Sequence, residues 1–275
     1  MQPNPSADLQ RRALLLSPLA ATLPAVATAA DAPPRTLRIG FSSAETSFDP
    51  ARISDLYSRT VTSHIFESLY GYDHLARPAR LVPRLADGMP EHNADFTVWT
   101  VKLKTGIVFA DDPVFKGQPR PLVAADVAYG FLRVVDPANK SPMATEVLAM
   151  GFKGLAARRK AAQAPGGRFD YDTPVEGLQV VDSHTLRFLL DAPRPRFVAK
   201  LALNSILPAQ AREVVEHYGQ AIGEHPVGTG PFRLKQWVRG SKIVLERNPQ
   251  YRQVLYSAQP HADDAEGQAL LARFQ

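Results

Sequence analysis

The sequence predicts a mixed α/β (α+β) fold, and three stretches carry that prediction. Between Pro226 and Tyr251 (PVGTGPFRLKQWVRGSKIVLERNPQY), Phe232, Leu234 and Trp237 face Ile243, Val244 and Leu245 across Arg239-Gly240. Two short apolar runs bounded by turn residues read as an antiparallel hairpin. Trp99, Val101 and Leu103 alternate with Thr100, Lys102 and Lys104, the period of a half-buried strand. Val127, Phe131, Leu132 and Val135 recur at helical spacing and stop at Asp136-Pro137, because proline restricts the residue before it. At 275 residues, 45% hydrophobic and 21% charged, the chain is long enough to bury at least one core.

The remaining elements follow in chain order. Arg11-Arg12, the apolar run Ala13 to Val26 and the small residues Ala27 to Ala30 have the order of an export signal, with cleavage after Ala29 or Ala30. An ordinary signal and a twin-arginine signal both fit Arg11-Arg12. Pro18 and Pro24 interrupt the run, which is shorter than the roughly 20 apolar residues of a spanning helix. Thr36 to Phe41 alternates as a short strand and leads through the polar loop Ser42 to Ser47 into Phe48-Asp49-Pro50. Ser54 is placed to cap a helix containing Leu56, Val61, Ile65, Phe66 and Leu69 and ending at Tyr70-Gly71. A turn is expected from Glu91 to Asp95, ahead of the Trp99 strand. Ser141-Pro142 opens a helix through Val147, Leu148 and Leu155, punctuated by Gly151 and Gly154 and stopping near Pro165-Gly166-Gly167. Leu178 to Val181 and Thr185 to Leu190 form a second hairpin around Asp182-Ser183, and Pro193 to Leu203 and Ala209 to Tyr218 read as helices. Leu270 to Gln275 is a helix-compatible run with no stop signal.

Composition excludes several kinds of chemistry. There is no cysteine, which removes disulfides, thiolate metal sites, a cysteine nucleophile and a lipidated cysteine. The seven histidines form no H-x-x-x-H pair, so no metal site is expected, and His74, His92 and His261 read as surface residues. The formal charge is +5, but the cations are interleaved with acids, which argues against a nucleic-acid partner. Arg158-Arg159-Lys160 reads as a solvated helix face. Asp111-Asp112 and Asp263-Asp264 read as exposed loop charges, since neighbouring carboxylates do not oppose each other across a cleft. Gly228-Thr229-Gly230 superficially suggests a phosphate loop, but Pro231 removes a backbone donor there, so the stretch reads as scaffold. A secreted hydrolase is the alternative class, but no G-x-S-x-G elbow and no H-E-x-x-H helix occurs; no catalytic residue and no cofactor is assigned.

VGTGPFRL followed by a basic hairpin and LERNPQY resembles the signature region of the extracytoplasmic solute-binding proteins of the oligopeptide, dipeptide and nickel class, which serve ABC importers. The order continues upstream: Asp49-Pro50 after a first strand, Phe66-Glu67-Ser68-Leu69-Tyr70, then a strand ending near Gly106 with Phe109 and Ala124-Ala125-Asp126-Val127. The insert Ala110 to Pro121 (ADDPVFKGQPRP) is longer than in many members. The resemblance covers Thr36 to Tyr251 and implies a periplasmic-binding-protein-like first lobe with an inserted β-rich subdomain, the second lobe missing. It implies a signal peptide over 1–30, a discontinuous first lobe over 36–60 and 175–258, an inserted subdomain over 61–174 and the start of a further segment over 259–275. Family members continue beyond this point, so the chain reads as a fragment or a truncated remnant. The implied function is periplasmic capture of peptides or similar small solutes between two lobes and delivery to a membrane permease. The loop Ser43, Ala44, Glu45 and Thr46 matches the stretch that lies against the ligand in oligopeptide-binding relatives. Met143 stands where those relatives often carry an aromatic cleft residue.

Overall fold

The computed structural model describes residues 35–203 and 207–273, and the chain divides into two compact units, Met1–Gly40 and Phe41–Gln275. The expected export signal lies outside the described residues. In the first unit, residues 35–40 are exposed and carry no regular structure, with Leu37 83% and Ile39 64% accessible. The strand expected over Thr36 to Phe41 is therefore not formed. Alternation prepares a strand, but a strand exists only through a hydrogen-bonded neighbour, and none of the described residues pairs with it.

In the second unit the first helix, α1 (Leu56–Ile65), is capped by Asp55 rather than Ser54: the Asp55 carboxylate accepts from Ser58 N at 2.8 Å. Aspartate supplies the capping oxygen one residue later, and the helix starts there. It also ends earlier than its apolar spacing suggests. Gly230 N donates to the otherwise unpaired Ile65 carbonyl at 2.8 Å, and a Cβ on Gly228 would lie 2.2 Å from the same oxygen. The Gly-Thr-Gly stretch is thus a close backbone crossing over a helix end, which only glycine allows. Phe66, Leu69 and Tyr70 stay buried, but in extended chain leading into β1 (Tyr70–Asp73), which pairs antiparallel with β2 (Arg80–Pro83).

A four-stranded antiparallel sheet follows, built from β3 (Glu91–His92), β4 (Val98–Lys102), β5 (Leu178–Asp182) and β6 (Thr185–Leu189) in the order β3-β4-β6-β5. The second hairpin forms at the expected place, around Asp182 and Ser183. The helix α2 (Ala124–Val135) packs on this sheet. Asp126 accepts from Val123 N at 2.8 Å at its start, and Asp136 stops it. Phe131, Phe152, Phe188 and Phe197 interlock beneath α2 with ring centroids 5.3 to 6.0 Å apart. Aromatic pairs at this spacing add about 0.5–1.5 kcal/mol each beyond burial. This main core extends from Leu69 to Ile222. Its sheet joins β4, which lies before residue 175, to β6 and β5, which lie after it.

The helix expected after Ser141 is two helices, α3 (Ala144–Leu148) and α4 (Leu155–Ala162), divided at Gly151 and Gly154, both at positive φ. The expected solvated face on α4 is also corrected. Arg158 donates to the carbonyls of Asp170, Thr173 and Pro174, and Arg159 donates to Val135 O at 2.6 Å. Guanidinium forks find carbonyl acceptors that composition alone does not reveal. Only short pieces of the next two helices form: α5 (Phe197–Lys200) and α6 (Arg212–Tyr218).

The hairpin at Arg239-Gly240 is β7 (Phe232–Val238) with β8 (Lys242–Arg247). A register shift between Leu234 and Gln236 inserts a residue, so Leu234 and Trp237, three apart, share the inward face. With Ile243 and Leu245 they pack on Phe48, Val61, Ile65 and Phe66, a second and smaller core. The chain closes with α7 (Ala265–Ala272), capped by Asp264.

Candidate functional site

Ser43 to Thr46 lies between α1 and the β7-β8 hairpin, and the geometry of the loop is set by partners far away in sequence. Trp237 is pivotal. Its indole N–H donates to the Glu45 carboxylate, its ring lies 4.4 Å from Phe48, and the Arg239 guanidinium sits 4.1 Å above it. Arg239 also donates to Thr46 O at 3.3 Å and pairs with Glu224 at 3.2 Å. A cation over an indole contributes about 0.5–1 kcal/mol at an exposed site and about 2 when desolvated, and Trp237 is half-buried.

From the other side, α1 holds the same loop. Thr46 Oγ1 donates to Asp55 at 2.6 Å, and Ser58 Oγ accepts from Thr46 N at 2.9 Å and from Ser47 N at 3.3 Å. Burial alone would raise the Asp55 carboxyl, but the hydrogen bonds from Thr46 and Ser58 outweigh it and hold the group below its ordinary value. At the loop ends, Ser42 bonds Tyr57, and Phe48 N donates to Gly223 O at 3.2 Å. Asp49, 1% exposed, takes a two-pronged pair from Arg133 on α2 at 2.7 and 2.9 Å. Gln210 accepts from the same guanidinium. The Asp-Pro step is therefore an anchor into the interior.

Of the four loop residues expected at the ligand, Glu45 and Thr46 thus spend their polar groups inward, while Ser43 and Ala44 project into solvent. The loop is thus fixed at both ends, with Ser43 and Ala44 left exposed between them. Met143 is not brought to this loop. It precedes α3, half-buried against the main core, whereas the loop borders the smaller core. The sequence reading missed Trp237, Arg239, Asp55 and Ser58 as the holders of the loop. The one available signal was an indole placed in a strand whose inward face was already apolar. Beside the hairpin, Glu224, His225, Gln236, Trp237 and Arg239 line an open concavity of ≈ 520 Å³. Among the described residues, no group of three His, Cys, Asp or Glu side chains is placed to hold a metal, and no helix is long and apolar enough to cross a membrane.

This fold has clear relatives. The family model "Bacterial extracellular solute-binding proteins, family 5 Middle" matches residues 80–269, and the chain belongs to that family. The periplasmic oligopeptide-binding protein OppA of Salmonella typhimurium is 31% identical over 234 residues, covering 82% of this chain and 39% of that protein. Di/tripeptide-binding protein 2 of Pseudomonas aeruginosa is 28% identical over 232 residues, 82% of this chain and 40% of its own length. Among solved structures, Haemophilus influenzae OppA in complex with RPPGFSPFR superposes with a TM-score of 0.61 at 26% identity, covering 74% of this chain and 36% of that one. The chain thus spans about 40% of the length of these relatives. The mixed α/β arrangement resembles part of the solved OppA chain.

Proposed function

We propose that the chain acts as part of the solute-binding component of an ABC importer, capturing peptides or similar small solutes outside the cytoplasmic membrane and delivering them to a membrane permease. In this reading 1–30 is a cleaved export signal and the mature protein is periplasmic. Ser43 and Ala44 meet the ligand directly, Glu45 and Thr46 set the loop from behind, and Met143 adds an apolar wall elsewhere in the cleft. The observation that carries this is the loop itself, held at Ser42, Glu45, Thr46, Ser47, Phe48 and Asp49 and left open only at Ser43-Ala44. Two-lobed binding proteins close about a hinge and enclose the ligand from both sides. One wall alone leaves half of the ligand in water, so this chain should bind weakly.

The test is an amide NMR titration with a mixture of di-, tri- and longer peptides, and separately with monosaccharides. Saturable shifts at Ser43, Ala44 and the Trp237 indole are expected with peptides, with dissociation constants of about 1 mM or weaker. Shifts with sugars and none with peptides would overturn the solute class. Micromolar affinity for this chain alone would overturn the two-wall requirement.

A further inference from the structure

Around Glu67, cationic donors outnumber their acceptors. Glu67 is fully engaged: Thr229 Oγ1 donates at 3.0 Å, Tyr251 OH at 3.3 Å, and Arg252 with both arms at 2.7 and 2.8 Å. A carboxylate with four donors has no lone pair to offer a further cation. One further cation, Lys104, stands near it. Lys104 Nζ donates to the Arg84 carbonyl at 3.1 Å, and Arg252 Nη2 approaches the same oxygen at 3.4 Å. Among the described residues, that carbonyl is the only acceptor of the Lys104 ammonium, and the Arg84 guanidinium has none. The Arg84 side chain lies across Gly71, where a Cβ would come within 2.8 Å of Nε. The acids facing the group are the saturated Glu67 and Asp87, which acts on Lys104 only through space. Burial first, and then the Arg252 charge, push Lys104 below its ordinary value. A half-buried ammonium that shares its acceptor with the Arg252 guanidinium, and on which the Arg84 charge also acts, stays charged at a cost that an anion would remove.

We propose that Lys104 and Arg84, backed by Arg252, form a binding site for a small oxyanion, either a phosphate or a carboxylate group. Ammonium and guanidinium donors make strong charge-assisted bonds to both, and the planar fork of arginine suits two oxygens at once. Arg252 fixes the back of the site because Glu67 orients its guanidinium over Tyr251, 5.0 Å from the ring centre. The site is separate from the Ser43-Ala44 loop and does not depend on the peptide reading.

The experiment uses the full chain with its lysines dimethylated with ¹³C, titrated at constant ionic strength so that general screening is unchanged. Inorganic phosphate, acetate, and one short peptide with either a free or an amidated carboxyl end form the arms. The Lys104 resonance should move saturably and its titration should rise, while Lys160, exposed on α4, stays still. Arg84→Gln, at an exposed position whose fold is checked by circular dichroism, should weaken the response about tenfold or more. Lys160→Met should leave it unchanged. A response to phosphate alone assigns a phosphate group, and a response to acetate and the free-ended but not the amidated peptide assigns a carboxylate. Equal shifts at all lysines, or a Lys104 response untouched by Arg84→Gln, would overturn the site.

Discussion

Arg133 and Asp49 show what one buried pair does for the loop. Their side chains are 3% and 1% exposed, joined by two short bonds, and Asp49 also accepts from Ala51 N at 3.1 Å. Removing one partner strands a charge away from water, which costs about 3–5 kcal/mol. Urea unfolding of Arg133→Met should show a loss of that size, and Arg133→Met with Asp49→Leu should recover most of it. A loss under about 1 kcal/mol, the size of an ordinary hydrogen bond, would mean that water reaches the pair. Asp55 makes a second residue-scale prediction. Its folded carboxyl is depressed below the ordinary 3.8, so it adds stability above its unfolded value that is lost as pH falls through the folded value. The stability difference between the protein and Asp55→Asn should be flat at neutral pH and shrink below about pH 4. An undiminished difference at pH 2 would contradict the assignment. At this scale the sequence was only partly legible. Ser54 and Asp55 are both good caps, and only the backbone decides which oxygen meets Ser58 N.

At the scale of elements, the β7-β8 hairpin was readable because its alternation and its Arg239-Gly240 turn agree. Gly240 has φ +67, so Gly240→Ala should destabilise the protein by about 1–2 kcal/mol in thermal or urea unfolding. Its bulge at Leu234 to Gln236 was not readable, since a one-residue insertion has no composition of its own. The clamp on the loop was equally hidden, because Glu45 and Trp237 are 192 residues apart. Trp237→Phe keeps a ring against Phe48 and deletes the donor to Glu45. Amide exchange at Thr46, Ser47 and Phe48 should then speed up by about tenfold or less, as expected for one hydrogen bond, while β4 and β6 are unaffected. Unchanged exchange at those three amides would show that the loop is held without the indole. The strand expected at Thr36 to Phe41 carries the complementary lesson: period-2 patterning shows what a segment is able to pair with, not that a partner is at hand.

At the scale of the whole second unit, two cores of unequal size share one chain. The main core draws on β4, β5, β6 and α2, whereas the smaller one rests on Phe48, Val61, Ile65, Phe66 and the inner face of the hairpin. The resemblance of the sequence to a family made the order of elements legible, but it did not show which elements share a core, because packing joins β4 to β6 across more than eighty residues. Burial scales with apolar area at about 25 cal/mol per Å², so the smaller core should open first. Its ties to the larger one are discrete polar links: Asp49-Arg133, Phe48 N to Gly223 O, Ala110 N to Gly228 O, Arg239-Glu224, and the Glu67 cluster, in which Thr229 and Arg252 hold the hairpin segment onto the chain before β1. Native-state amide exchange in low urea should therefore give β7 and β8 a lower opening free energy and a weaker urea dependence than β4 and β6. Arg252→Met, which removes both arms from Glu67, should lower the hairpin value further and leave the sheet value in place. Identical free energies for both sets of amides would mean that the unit unfolds as one cooperative block, and the Ser43 to Thr46 loop would then be as rigid as the sheet.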